Sequence, residues 1–293
     1  MTLKPVLCVL LGALGIASSA WAQDGARTTP DTPTAEQTAT APATTREPDD
    51  DAVLNPAQPD FTLVALPTAL RLPLFKSAFR VTHRFYRPLG QGDFSDLLDD
   101  FFGLDNGAQI GLEYRFGIMR GTQIGIYRTS EKTIKFFTQY SALQQRDNGV
   151  IGLDVTAAMD GTDNFTDSYS PALGVVISRE VGGFAALYFE PTWVNNSNPL
   201  PSELADDNDT FLYAIGGRLR VRPTVYAVFE YIPRSGYQPG VDHVTFGVEK
   251  RAGGHVFQLN FSNSYGSTVG QLARGGTDND DWYLGFNISR KFF

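Results

Sequence analysis

Lys76, Arg80 and Arg84 recur at spacings of four, and Glu113 stands two residues from Arg115. Successive side chains of an extended chain point to opposite faces, so each set lies on one face of a strand. These residue types suit ionic recognition. A ladder of cations beside a wall of carboxylates orients and selects small anions or zwitterions. The same parity sets Lys135, Arg218, Arg220 and Lys291 beside Asp154, Glu190, Glu230 and Glu249. The alternative is that these charges pair with one another and fill the space they face.

The elements that position them are strands. From Phe75 onward apolar and polar residues alternate, as in Ala108, Ile110, Leu112, Tyr114 and Phe116 against Gln109, Glu113 and Arg115. Similar runs occupy about 75–87, 108–116, 121–129, 132–143, 150–159, 170–179, 183–193, 210–222, 224–233, 242–251, 254–264 and 281–293. That predicts about twelve strands of about ten residues, the length a tilted strand needs to cross a bilayer. The predicted fold is all-β, a transmembrane up-and-down antiparallel barrel. Long connections alternate with short turns, except near Thr129–Lys132, and aspartates gather in the long ones. An Arg or Lys on the lipid face would cost about 2–4 kcal/mol at the midplane, so the charged set belongs inside. Trp193, Trp282, Tyr114, Tyr140, Tyr213 and Tyr231 suit the interfacial girdles.

The N-terminus predicts export. Lys4, the apolar stretch Val6–Ile16 and the small-x-small site Ala20-Trp21-Ala22 form a signal peptide over residues 1–22. The single cysteine, Cys8, lies within it, so the mature chain has neither thiol nor disulfide. Losing Lys4 moves the net charge from −8 to −9, a balance that disfavours nucleic acid. Residues 23–60, rich in Thr, Pro, Ala and Asp, read as a disordered periplasmic leader. Residues 61–74, interrupted by Pro67 and Pro73, read as a pre-barrel segment docking at the barrel mouth. The barrel itself spans 75–293. In the last strand Leu284, Phe286, Ile288 and Phe292 share the outer parity, interrupted by Arg290, which leaves Phe293 on the inner one.

A second candidate lies in the first long loop. In Asp93–Gly103 a helical period places Phe94, Leu97, Leu98, Phe101 and Phe102 on one face. Such a helix would either fold into the mouth and constrict it or cap the rim.

Catalysis finds little support. His83, outward by parity, invites comparison with the serine–histidine pair of outer-membrane phospholipases, yet no serine carries a nucleophile motif. His243 and His255 have no partners at metal-ligand spacing. The acidic loops match no calcium-loop pattern. No cofactor, metal or catalytic residue is expected. The expected partners are outer-membrane lipid, lipopolysaccharide, the barrel-assembly machinery and a small polar solute.

Several stretches carry a family resemblance: NPAQPDFT (55–62), LPTALRLP (66–73), KSAFRVTHRF (76–85), PLGQGDF (88–94), FGLD (102–105), GAQIGLE (107–113) and YRTS (127–130). The sequence resembles an uncharacterised family of bacterial outer-membrane β-barrels defined by a domain of unknown function, over about residues 55–293. The resemblance implies the fold and brings no activity with it. The expected function is a narrow passive channel for small polar or anionic solutes. The alternative is a non-conducting barrel that binds a partner through its loops or leader.

Overall fold

The computed structural model describes residues 54–100, 103, 106–145, 149–198, 208–236, 240–276 and 280–293. The expected signal peptide, the leader up to residue 53, Phe101 and Phe102 lie outside the described residues.

Strands form where the two-residue alternation predicts them. They are β1 (Ser77–Pro88), β2 (Ala108–Met119), β3 (Thr122–Thr129), β4 (Ile134–Leu143), β5 (Gly152–Gly161) and β6 (Tyr169–Val181). There follow β7 (Ala185–Asn195), β8 (Asp209–Arg222), β9 (Val225–Ile232) with its short continuation β10 (Arg234–Gly236), β11 (His243–Ala252), β12 (His255–Ser262) and β13 (Tyr283–Phe292). Pro233, which has no N–H to give a ladder, separates β9 from β10. Both pair with β8, so together they act as one interrupted strand.

Each strand pairs antiparallel with its neighbours. β1 pairs with β13, and β9 returns to β8, so the sheet closes with twelve staves. Closure leaves no unpaired edge, a condition for a sheet in lipid. The β2–β3, β6–β7, β8–β9 and β11–β12 connections are tight turns of two or three residues. Gly182 and Gly183, at φ of +53° and +67°, turn β6 into β7 where side chains with a Cβ would be strained. We call this the turn end and the opposite rim the loop end.

Burial follows the predicted parity. On β2 Ile110, Leu112 and Tyr114 face outward and exposed while Gln109, Glu113 and Arg115 are buried. Tyr140, Tyr213 and Tyr231 are exposed on the outer surface. In β13 the outer set is Leu284, Phe286, Ile288 and Phe292, and the Arg290 guanidinium lies 5.4 Å from the Phe292 ring. Phe286 stacks on His83 of the neighbouring strand with ring centroids 4.7 Å apart.

Two short helices lie in the loops. α1 (Phe94–Asp99) is capped by Asp93, whose Oδ1 accepts from the Ser95 and Asp96 backbone N–H groups. These bonds hold the Asp93 carboxyl below its ordinary pKa, the Ser95 hydroxyl contributing most. α2 (Val269–Arg274) carries a Thr268/Gln271 capping box.

Candidate functional site

The barrel interior is a charged wall, and its charges are largely paired. The Arg80 guanidinium donates to Glu113 at 2.9 Å, and Glu113 accepts again from Arg115. Across the lumen Arg218 forms a two-bond fork with Glu249, at 2.7 and 2.8 Å. Gln258 donates to Glu249, Asn287 to Gln258, and Arg84 to Asn287, at 2.7, 2.7 and 2.8 Å. One hydrogen-bonded chain therefore crosses from β8 through β11, β12 and β13 to β1. Bonds to charged groups are the strong ones, and a bidentate guanidinium–carboxylate pair also fixes geometry.

The lumen also holds the segment that precedes β1. Residues 57–66 are buried, with Ala57 fully so and Leu63 and Val64 at 1% exposure. Residues 61–68 form a small hairpin: Thr62 bridges Pro67, and the Thr68 N–H donates to the Phe61 carbonyl at 2.9 Å. At its tip the N–H groups of Val64, Ala65 and Leu66 all donate to Glu230 Oε1, at 2.7, 2.9 and 2.9 Å. Consecutive N–H groups pointing one way make an anion nest, and here the anion is a wall side chain. The hairpin carbonyls are met in turn. Arg218 donates to Thr62, Gln258 to Leu63, Asn287 to Val64 and Gln139 to Thr68. A hairpin whose backbone groups find such partners can leave water, and one without them could not.

Apolar contacts complete the seat. Leu63, Val64 and Leu66 cluster with Ala172, Val176, Ala186, Leu212, Ala214 and Val228 of the wall. Gly216 is small because Leu63 occupies the space a Cβ would need, and Gly117 because the Pro73 carbonyl does. Pro67 and Pro73 keep this segment out of the sheet. The segment expected at the mouth instead fills the interior, because the wall presents polar partners at the height of its backbone. Residues 57–60 are as buried as 61–66, so the inserted stretch begins before the boundary that composition suggests.

A second element enters from the loop end. α2 buries Gly270, Leu272 and Ala273, and Leu272 joins the same apolar cluster. The Gly270 N–H donates to Asp160 Oδ2 at 2.8 Å, and Ser267 receives bonds from Gln109 and Tyr127 at 2.8 and 2.7 Å. The lumen is thus occupied from both ends by the chain itself.

Of the expected lumen residues, Arg80, Arg84, Glu113, Arg115, Arg218, Glu230 and Glu249 are buried inside. Lys135 is half-buried, its ammonium 5.3 Å from the Tyr127 ring and 5.1 Å from that of Phe137. Lys76 is exposed just before β1. Arg220 is half-buried near the turn end, donating to the Pro223 carbonyl at 3.3 and 3.1 Å. The basic ladder has two rungs inside, Arg80 and Arg84, since Lys76 lies beyond the strand. For the first-loop helix two positions were expected, constricting the mouth or capping the rim. Leu98 of α1 is 49% exposed and Leu97 half-buried, and Arg87 pairs with Asp100 at the loop end, whereas α2 is the helix inside the lumen. Parity with the charged set also marks the inward amides Gln139 and Gln258, which the sequence pattern carries no other sign of.

Between the hairpin, α2 and the wall lies a cavity of about 80 Å³. Arg115, Lys135 and Glu190 line it, with Ala65, Leu66 and Leu272 closing its inner side.

A closed twelve-stave barrel with an apolar exterior and a charged, hydrogen-bonded interior is the architecture of an outer-membrane β-barrel protein, seated in outer-membrane lipid. The chain belongs to the family described as "Membrane bound beta barrel domain (DUF5777)", whose model matches residues 76–292. The lumen-filling hairpin precedes that matched region. No curated protein sequence matches the chain. Among solved structures the NanC porin superposes with a TM-score of 0.51 at 7% identity, covering 73% of this chain and 100% of that one. An outer-membrane channel from Pseudomonas putida F1 is similar at 10% identity with a TM-score of 0.46, over 76% of this chain and 97% of that one. The Acinetobacter baumannii outer-membrane protein Omp33 gives 9%, 0.42, 74% and 98% respectively. The NanC likeness is one of fold alone.

Proposed function

We propose that the barrel is a gated conduit for small polar or anionic solutes, closed at rest by residues 57–72. The observation that carries this reading is a set of buried charged groups that the seated hairpin leaves incompletely bonded. Among the described residues Glu230 Oε2, Arg84 Nη2 and Arg218 Nη1 have no hydrogen-bond partner. Burying charge in a permanently dry core is unfavourable against an apolar filling of equal volume. A lumen that becomes wet when the hairpin leaves would satisfy every one of these groups. The hairpin suits removal, because the wall holds its backbone largely through hydrogen bonds that water can replace.

Planar-bilayer recordings test this. The full chain should show little conductance, and E230Q, which weakens the nest, should open the pore more often. Deleting 54–74 from a variant that still folds should open it fully. Replacing Arg80 and Arg84 by Gln in the open form should lower anion preference. If the open form is silent, the conduit reading fails and a non-conducting barrel that binds a partner takes its place.

A further inference from the structure

The cavity between the hairpin and α2 has two ends of opposite charge. Arg115 and Lys135 share one wall with the Phe137 ring, their cationic groups 4.7 and 5.1 Å from its centroid. Arg115 is satisfied in part by Glu113, but among the described residues its Nη1 has no hydrogen-bond partner; the Lys135 ammonium meets the Tyr127 and Phe137 rings and lies in the field of the Glu113 and Asp160 carboxylates. On β7 Glu190 is 3% exposed and lines the same cavity, and its Oε1 accepts no hydrogen bond. Among the described residues no cationic side chain forms an ion pair with Glu190, and the neighbouring charges that act on it are the carboxylates of Glu230 and Asp154. A buried carboxylate without a partner is costly, and cavity-facing donors without acceptors add to that cost. Leu66, Leu212 and Leu272 line the space between the two ends.

We propose that this cavity binds a small zwitterion, a primary ammonium and a carboxylate joined by a short apolar linker. The ammonium meets Glu190, the carboxylate meets Lys135 and Arg115, and the linker lies against the leucines. A simple anion would leave Glu190 unpaired, and a simple amine would leave Arg115 Nη1 and the Lys135 ammonium without a hydrogen-bond acceptor. Because Leu66 belongs to the hairpin and Leu272 to α2, the ligand contacts both lumen-filling elements at once. This assignment rests on the conduit reading for its biological sense and names the solute class.

Its test is binding to the closed full chain, independent of transport. Isothermal titration of the detergent-folded protein uses glycine, β-alanine, γ-aminobutyrate and ε-aminocaproate, with butyrate and butylamine as half-ligands. At least one amino acid of the series should bind at least tenfold more tightly than either half-ligand. E190Q and K135M should each weaken it at least tenfold, and E190Q should leave any butyrate binding unchanged. Should E190Q fail to fold, E190D should still bind and favour a linker one methylene longer. No binding across the series, equal binding by native protein and E190Q, or binding of butylamine alone overturns the proposal. A silent pore with intact binding would instead overturn the conduit and leave the site standing.

Discussion

Glu230 on β9 holds Val64 of the inserted hairpin by a 2.7 Å bond from its backbone N–H, and the same Oε1 accepts from Ala65 and Leu66. A wall carboxylate thus closes a turn in a segment more than 160 residues away in sequence. Bonds to a charged acceptor are worth about 1.5–3 kcal/mol, more than neutral ones. E230Q keeps the shape but removes the charge. We expect hydrogen exchange at the Val64–Leu66 amides to accelerate about 10- to 100-fold, with the strands unaffected. Unchanged protection would mean the nest does not hold the hairpin.

Arg218 and Glu249 are fully buried against each other, and Arg218 also reaches the Thr62 carbonyl. Removing one partner of such a pair strands the other charge, at a cost of about 3–5 kcal/mol. R218M alone should therefore lower the denaturant midpoint of the vesicle-folded protein strongly. R218M combined with E249L should recover most of the loss. Equal destabilisation by the single and double variants would contradict this account.

Gly117 lies where a Cβ would collide with the Pro73 carbonyl. G117V should unseat residues 61–74 while β2 keeps its pairing, because β-branched residues suit strands. Limited proteolysis reads the result directly. Cleavage within 61–74 should appear in the variant and not in the native chain, while residues 77–292 stay resistant.

The outer surface gives a contrasting prediction. Leu112 and Val248 are 50% and 55% exposed on the lipid face. Arginine there should cost about 2–4 kcal/mol if the position is near the midplane. Folding yields into phosphatidylcholine vesicles should fall for L112R and V248R, and hardly at all for an outward substitution in the long loops.

At the loop end, Thr268 caps α2 and the Gly270 N–H meets Asp160. T268A should cost about 1 kcal/mol. The loss should appear as faster exchange of the α2 amides, since the cap belongs to a loop and no ladder depends on it.

The sequence by itself determined the container. A period of two, a switch to lipid-facing Leu, Phe and Tyr, and alternating turn lengths are local properties, and each constrains its strand wherever that strand sits. They sufficed to place Arg80, Glu113, Arg218 and Glu249 inside and Leu112 outside. What occupies the lumen is not local. The seat of the hairpin is assembled from Gln139 on β4, Arg218 on β8, Glu230 on β9, Gln258 on β12 and Asn287 on β13, which meet only once the barrel has closed. Nothing in the prolines and threonines of 55–74 states that five strands will present partners to its backbone. The seating of α2 in the lumen has the same cause, because burial of a six-residue helix depends on the wall it meets rather than on its own apolar face. Only the tertiary structure decided that the barrel is filled by its own chain, because hydrogen-bond complementarity across the lumen is a property of the closed circumference.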